Sequence, residues 1–127
     1  MRRMMAVVTT FVLLFSATSS AAPPQLEKAI PAVGSTVPAS PPTREIRIFF
    51  TQSINPAASS IELTTADGKA VAIGSAAGDQ KDQAQLFAKL PRLPPGEYRV
   101  HWHVTGADTH EVDGHYTFRV ARYVLLN

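Results

Sequence analysis

The 127-residue chain contains no cysteine, which excludes disulfide staples, thiolate metal centres and cysteine nucleophiles. Its 12 Lys and Arg fall to 10 once Arg2 and Arg3 are set aside, equal to the 10 Asp and Glu. No net basic balance then remains for nucleic acid or an anionic membrane surface.

Arg2 and Arg3 open a stretch that reads as an export signal. An apolar run follows from Ala6 to Phe15, and then small residues from Ser16 to Ala22. Ser19 and Ala21 satisfy the small-x-small rule, so cleavage is expected after Ala21, leaving Ala22 as the first residue. The apolar run is shorter than the about 20 residues a membrane-spanning helix needs. Segment 1–21 is therefore assigned as signal peptide and 22–127 as one domain, with no membrane insertion of the mature chain. All three methionines, Met1, Met4 and Met5, belong to the signal.

The segment from Pro23 to Pro42 is rich in Pro, Ala and Ser and reads as an extended arm with turns. Beyond it, apolar residues recur every second position. Ile46, Ile48 and Phe50 form one such set, Ile61 and Leu63 another, and the turn Ala66-Asp67-Gly68-Lys69 leads into Val71 and Ile73. Gly74 to Gln83 is small and polar and reads as a surface loop, with Asp79 and Asp82 solvated. Leu86, Ala88 and Leu90 alternate again. After the turn Leu93-Pro94-Pro95-Gly96 comes the clearest strand, with Tyr98, Val100, Trp102 and Val104 on one face. A loop from Thr105 to Asp113 precedes a last strand carrying Tyr116, Phe118 and Val120. Helical periodicity is nowhere sustained, and short strands between regular turns predict an all-β, Greek-key sandwich.

All four histidines, His101, His103, His110 and His115, fall in the last hairpin, interleaved with Asp108, Glu111 and Asp113. Imidazole and carboxylate together suit copper(II), zinc or nickel. If the aromatic residues face the core, His101, His103 and His115 face outward. Pairing the strands around a Thr105–Asp113 loop sets His103 opposite His115, and Asp108 and His110 could turn toward one ion. Alone, His101 reads as an ordinary solvated histidine, and Asp108 as a turn cap. No G-x-S-x-G elbow, phosphate loop, H-E-x-x-H or C-x-x-C appears, and no enzymatic activity is expected.

From Leu26 onward the chain resembles the CopC family of periplasmic copper-resistance proteins. The likeness rests on Ala29-Ile30-Pro31-Ala32-Val33-Gly34-Ser35 after Leu26, on the strand Ile46 to Phe50, and on the run Leu93 to Trp102. Its most specific part is Gly106-Ala107-Asp108-Thr109-His110-Glu111-Val112-Asp113-Gly114, followed by Tyr116, Phe118 and Val120. The resemblance implies an immunoglobulin-like (cupredoxin-like) β-sandwich or barrel in the periplasm that buffers or carries a copper ion, copper(II), without catalysis. It implies metal ligation by Asp108 and His110, and an inner-membrane transporter of the CopD type as recipient. The family's leading histidine falls on Pro23 here, and its thioether copper(I) site has no methionine to form it. His103 and His115 are the residues that could stand in for the missing ligand. The alternatives are a domain that kept the fold, lost the metal and serves as an interaction module, or one that binds another divalent metal such as zinc.

Overall fold

Ile46, Ile48 and Phe50 point into the interior while Glu45, Arg47 and Phe49 face outward, the period-two pattern of a strand with one buried face. The computed structural model describes residues Ala22–Arg122; the expected signal segment lies outside the described residues. Nine strands are described: β1 Leu26–Ile30, β2 Thr36–Val37, β3 Glu45–Phe50, β4 Ile54–Thr65, β5 Ala70–Val71, β6 Ala77–Gly78, β7 Gln85–Lys89, β8 Gly96–Gly106 and β9 Glu111–Val120. They form a four-stranded sheet of order β1-β3-β7-β6 and a five-stranded sheet of order β2-β9-β8-β4-β5. The architecture is the all-β sandwich expected, with no helix among the described residues and hence none long and apolar enough to cross a membrane.

The inward faces of both sheets meet in one core. Ala29, Ile46, Ile48, Phe50, Leu86 and Ala88 come from the smaller sheet. Ile61, Leu63, Tyr98, Val100, Trp102, Val104, Tyr116, Phe118 and Val120 come from the larger. Phe50 meets Trp102 edge-on at 6.2 Å between ring centroids, and Trp102 meets Tyr116 at the same separation, so this aromatic line ties the two sheets together. The inward assignment of Tyr98, Trp102, Tyr116 and Phe118 holds, and His101, His103 and His115 lie on the opposite face.

Three expectations are corrected. The Pro23–Pro42 arm contains two strands. β1 pairs antiparallel with β3 and β2 pairs parallel with β9. Alternation failed to reveal β1 because a register shift between Leu26 and Lys28 breaks its pattern, leaving Ala29 as its one buried residue. β4 starts at Ile54, well before Ile61, because a bulge between Asn55 and Ser60 interrupts its pairing with β8. There Ser59 Oγ accepts from the Thr105 amide at 3.2 Å, replacing a lost ladder bond. Within Gly74–Gln83 lies β6, and Asp79 is tied in: Oδ1 accepts from the amides of Lys81 and Asp82, and Oδ2 from Arg47 at 3.0 Å.

Candidate metal centre

The β8–β9 connection runs over 107–110, and its tip is a three-residue turn, Ala107-Asp108-Thr109, closed by the pair Gly106 and His110. The Thr109 amide donates to the Gly106 carbonyl at 2.9 Å, and the Gly106 amide donates to the His110 carbonyl at 2.8 Å. Thr109 takes a left-handed conformation, φ 74, which closes the turn in the manner of three-residue hairpins. Strand pairing therefore extends to Thr105 opposite Glu111, past the limits expected of a Thr105–Asp113 loop.

That tighter turn moves the register. His103 stands opposite Asp113 and His115 opposite His101, so the expected His103–His115 pair does not form. The cause is the residue at the left-handed position. Threonine gives no sequence signal for it, whereas Gly or Asn would.

Asp108 and His110 meet at the tip. Asp108 Oδ2 lies 2.6 Å from His110 Nδ1, and Oδ1 accepts from the His110 amide at 3.3 Å. The ring contact, with the backbone bond behind it, holds the Asp108 carboxyl below its usual value against partial desolvation. An ionised carboxylate only accepts, so the shared proton belongs to Nδ1, and Nε2 is the ring nitrogen left for an ion. An ion at Nε2 competes with a proton for that nitrogen, which couples binding to pH.

The N-terminal segment comes to the same place. Pro24 is fully buried, and a Cβ on Gly106 would stand 3.2 Å from its Cγ and Cδ and 2.8 Å from Asp108 Oδ1. Gln25 exchanges two bonds with Thr51, its amide donating to Oγ1 at 3.0 Å and its carbonyl accepting from the Thr51 amide at 2.9 Å. The Ala107 amide donates to the Ser53 carbonyl at 3.2 Å, binding the turn to the segment after β3. Ala22, Gln52, Ser53, Ala107 and Asp108 consequently line one shallow hollow. Pro24, Gln52 and Ser53 were not legible as site residues, because their roles come from contacts between segments far apart in sequence.

His103 belongs to a different group. Its Nδ1 lies 2.8 Å from Asp113 Oδ1 and its Nε2 3.6 Å from Glu111, while His101 Nε2 lies 3.6 Å from the same Asp113 oxygen. The hydrogen bond with Asp113, opposed by some desolvation, raises the His103 pKa. Among the described residues, no three His, Asp or Glu side chains already surround a point where an ion would sit.

The CopC domain family matches residues 26–121. The chain is 31% identical over 121 residues to Protein YobA of Escherichia coli strain K12, covering 94% of each. It is 30% identical over 123 residues to Copper resistance protein C of Escherichia coli, covering 91% of this chain and 94% of that one. Among solved structures, CopC from Methylosinus trichosporium OB3b superposes with a TM-score of 0.73 at 32% identity, over 82% of this chain and 99% of the other. The domain match takes in the first strand, the two-sheet core and the Asp108–His110 turn, and by it this chain belongs to the CopC family.

Proposed function

We propose that this protein binds copper(II) in the periplasm and buffers the ion or hands it on, catalysing no reaction. The carrying observation is the convergence of Asp108, His110 and Ala22 on one corner of the sandwich. Cleavage after Ala21 would give Ala22 a free amine beside the Asp108 carboxylate. Amine, imidazole and carboxylate form a mixed nitrogen and oxygen donor set that suits copper(II). The name of the related Copper resistance protein C supports copper as the cargo. An inner-membrane transporter of the CopD type is the proposed recipient.

Pro23 sets the limit on affinity. It brings no imidazole and has no amide proton to lose, so the second backbone nitrogen cannot join the ligand set. With no methionine beyond Met5, a thioether copper(I) site is absent as well. This same residue favours the second reading, a domain that kept the fold and lost the ion.

The test is titration of the chain beginning at Ala22, its first residue verified by mass, with copper(II) and with zinc. Replacing Asp108 or His110 by Ala should weaken the tightest copper(II) binding by at least about tenfold, or roughly 1.4 kcal/mol. A Pro23→His chain with the new histidine as first residue should bind more tightly than the natural one. Binding by that variant alone would establish the second reading, and tighter binding of zinc than copper(II) would reassign the ion.

A further inference from the structure

The geometry points to a second divalent-metal site, separate from the turn, on the outer face of the β8–β9 hairpin: His101, His103 and Asp113, with His115 as fourth donor. The inference stands on its own residues and does not rest on the reading of Asp108 and His110.

The backbone sets this group up. His101 and His103 are two apart on β8, so both project from the outward face, where their side chains are 45% and 35% exposed. The antiparallel register puts Asp113 directly across from His103 and His115 directly across from His101, so all four share one face. One Asp113 oxygen, Oδ1, faces both rings, 2.8 Å from His103 Nδ1 and 3.6 Å from His101 Nε2. A tetrahedral ion with donors at 2.0–2.1 Å holds those donors about 3.3 Å apart. The two observed separations bracket that value, so small rotations of exposed side chains complete a site that is not preformed.

The outer nitrogens of both rings also face carboxylates. Glu62 Oε2 lies 3.8 Å from His101 Nδ1, and Glu111 Oε1 lies 3.6 Å from His103 Nε2. Each imidazole thus has one nitrogen toward the shared Asp113 oxygen and the other toward an acid that can take its N–H. Neither gap is a hydrogen bond as it stands; a side-chain rotation that closes it gives the carboxylate–histidine–metal arrangement, which fixes the tautomer and raises the basicity of a ligating histidine. The surrounding carboxylates favour a dication, and the three-imidazole, one-carboxylate donor set selects a borderline ion, zinc(II) or copper(II), over magnesium or calcium.

Zinc(II) is the probe, because it is diamagnetic and His ring signals can be followed by NMR. In the chain starting at Ala22 with Asp108→Ala and His110→Ala, one equivalent of zinc(II) should still bind and shift the ring nitrogens of His101 and His103. Adding His101→Gln and His103→Gln should weaken that binding at least tenfold. Asp113→Asn, which leaves both rings in place, should weaken it as well. Loss of all zinc(II) binding on removing Asp108 and His110, or retention of full affinity without His101 and His103, overturns the site. Failure of the turn site reads differently: copper(II) affinity would be unchanged by His110→Ala and reduced by the His101→Gln/His103→Gln pair.

Discussion

Pro24 rests on Gly106 at the foot of the β8–β9 turn, with the Asp108 carboxylate over the same glycine. A methyl group there would press on a buried proline and a carboxylate at once. Gly106→Ala should therefore cost about 1–3 kcal/mol, the usual range for overpacking, read from urea unfolding. The same clash pushes the N-terminal segment from Asp108, so copper(II) affinity should fall with it. Unchanged stability and affinity would show that the Pro24 contact does not position the arm.

Thr109 is a β-branched residue held at φ 74, where L side chains are strained by roughly 1–2 kcal/mol. Asn tolerates that conformation, so Thr109→Asn should raise stability by about 0.5–1 kcal/mol. Thr109→Gly relieves the same strain but frees the unfolded chain, an offset of about 0.5–1 kcal/mol, and should gain less. A loss of stability in the Asn variant would mean that the threonine side chain makes a compensating contact.

Gly114 lies under the Trp102 ring. A Cβ at that position would stand 2.1 Å from Cζ2 and 2.5 Å from Cε2. Phe50 and Tyr116 hold the ring on other sides, so it has little room to retreat. Gly114→Ala should thus reach the severe end of overpacking, about 3 kcal/mol. Trp102→Ala should cost about 3–5 kcal/mol through the cavity it leaves. Trp102 Nε1 is buried without a partner, so Trp102→Phe discards an unsatisfied donor and should cost less than the alanine change. Equal losses for Phe and Ala would show that the indole nitrogen is paired.

Legibility followed burial on one face. β3, β7, β8 and β9 each bury alternate residues, and Ile46, Leu86, Val100 and Phe118 could be placed inside from spacing alone. β1 and β2 escaped notice because a bulge breaks the first and the second is two residues long. Asp108 and His110 were visible through the loop motif, and the structure brings them within hydrogen-bond distance. The partner of His103 was missed by two positions, since the hairpin register depends on a left-handed threonine that no turn rule flags. Pro24 was invisible as a site residue, because its seat on Gly106 joins segments that share no local pattern.

The His103–Asp113 contact gives a pH signature measurable in the metal-free protein. Asp113 raises the His103 pKa above the ordinary imidazole value through the 2.8 Å hydrogen bond, with Glu111 adding to it, while Ser60 is the residue across from it on β4. A folded-state pKa above the unfolded one means that the charged ring stabilises the fold. That contribution is complete below about pH 6.5, and it fades as pH rises through the higher folded value. Asp113→Asn should bring the His103 titration, followed by NMR, back down toward the ordinary value. The stability gap between the natural chain and Asp113→Asn should be largest in mildly acidic solution, where the His103 ring is charged. It should close toward alkaline pH. Because the pair lies at the surface, added salt should narrow the gap as well. A His103 titration unmoved by Asp113→Asn would show that another group sets its pKa, and a gap that widens with pH would reverse the sign of the coupling.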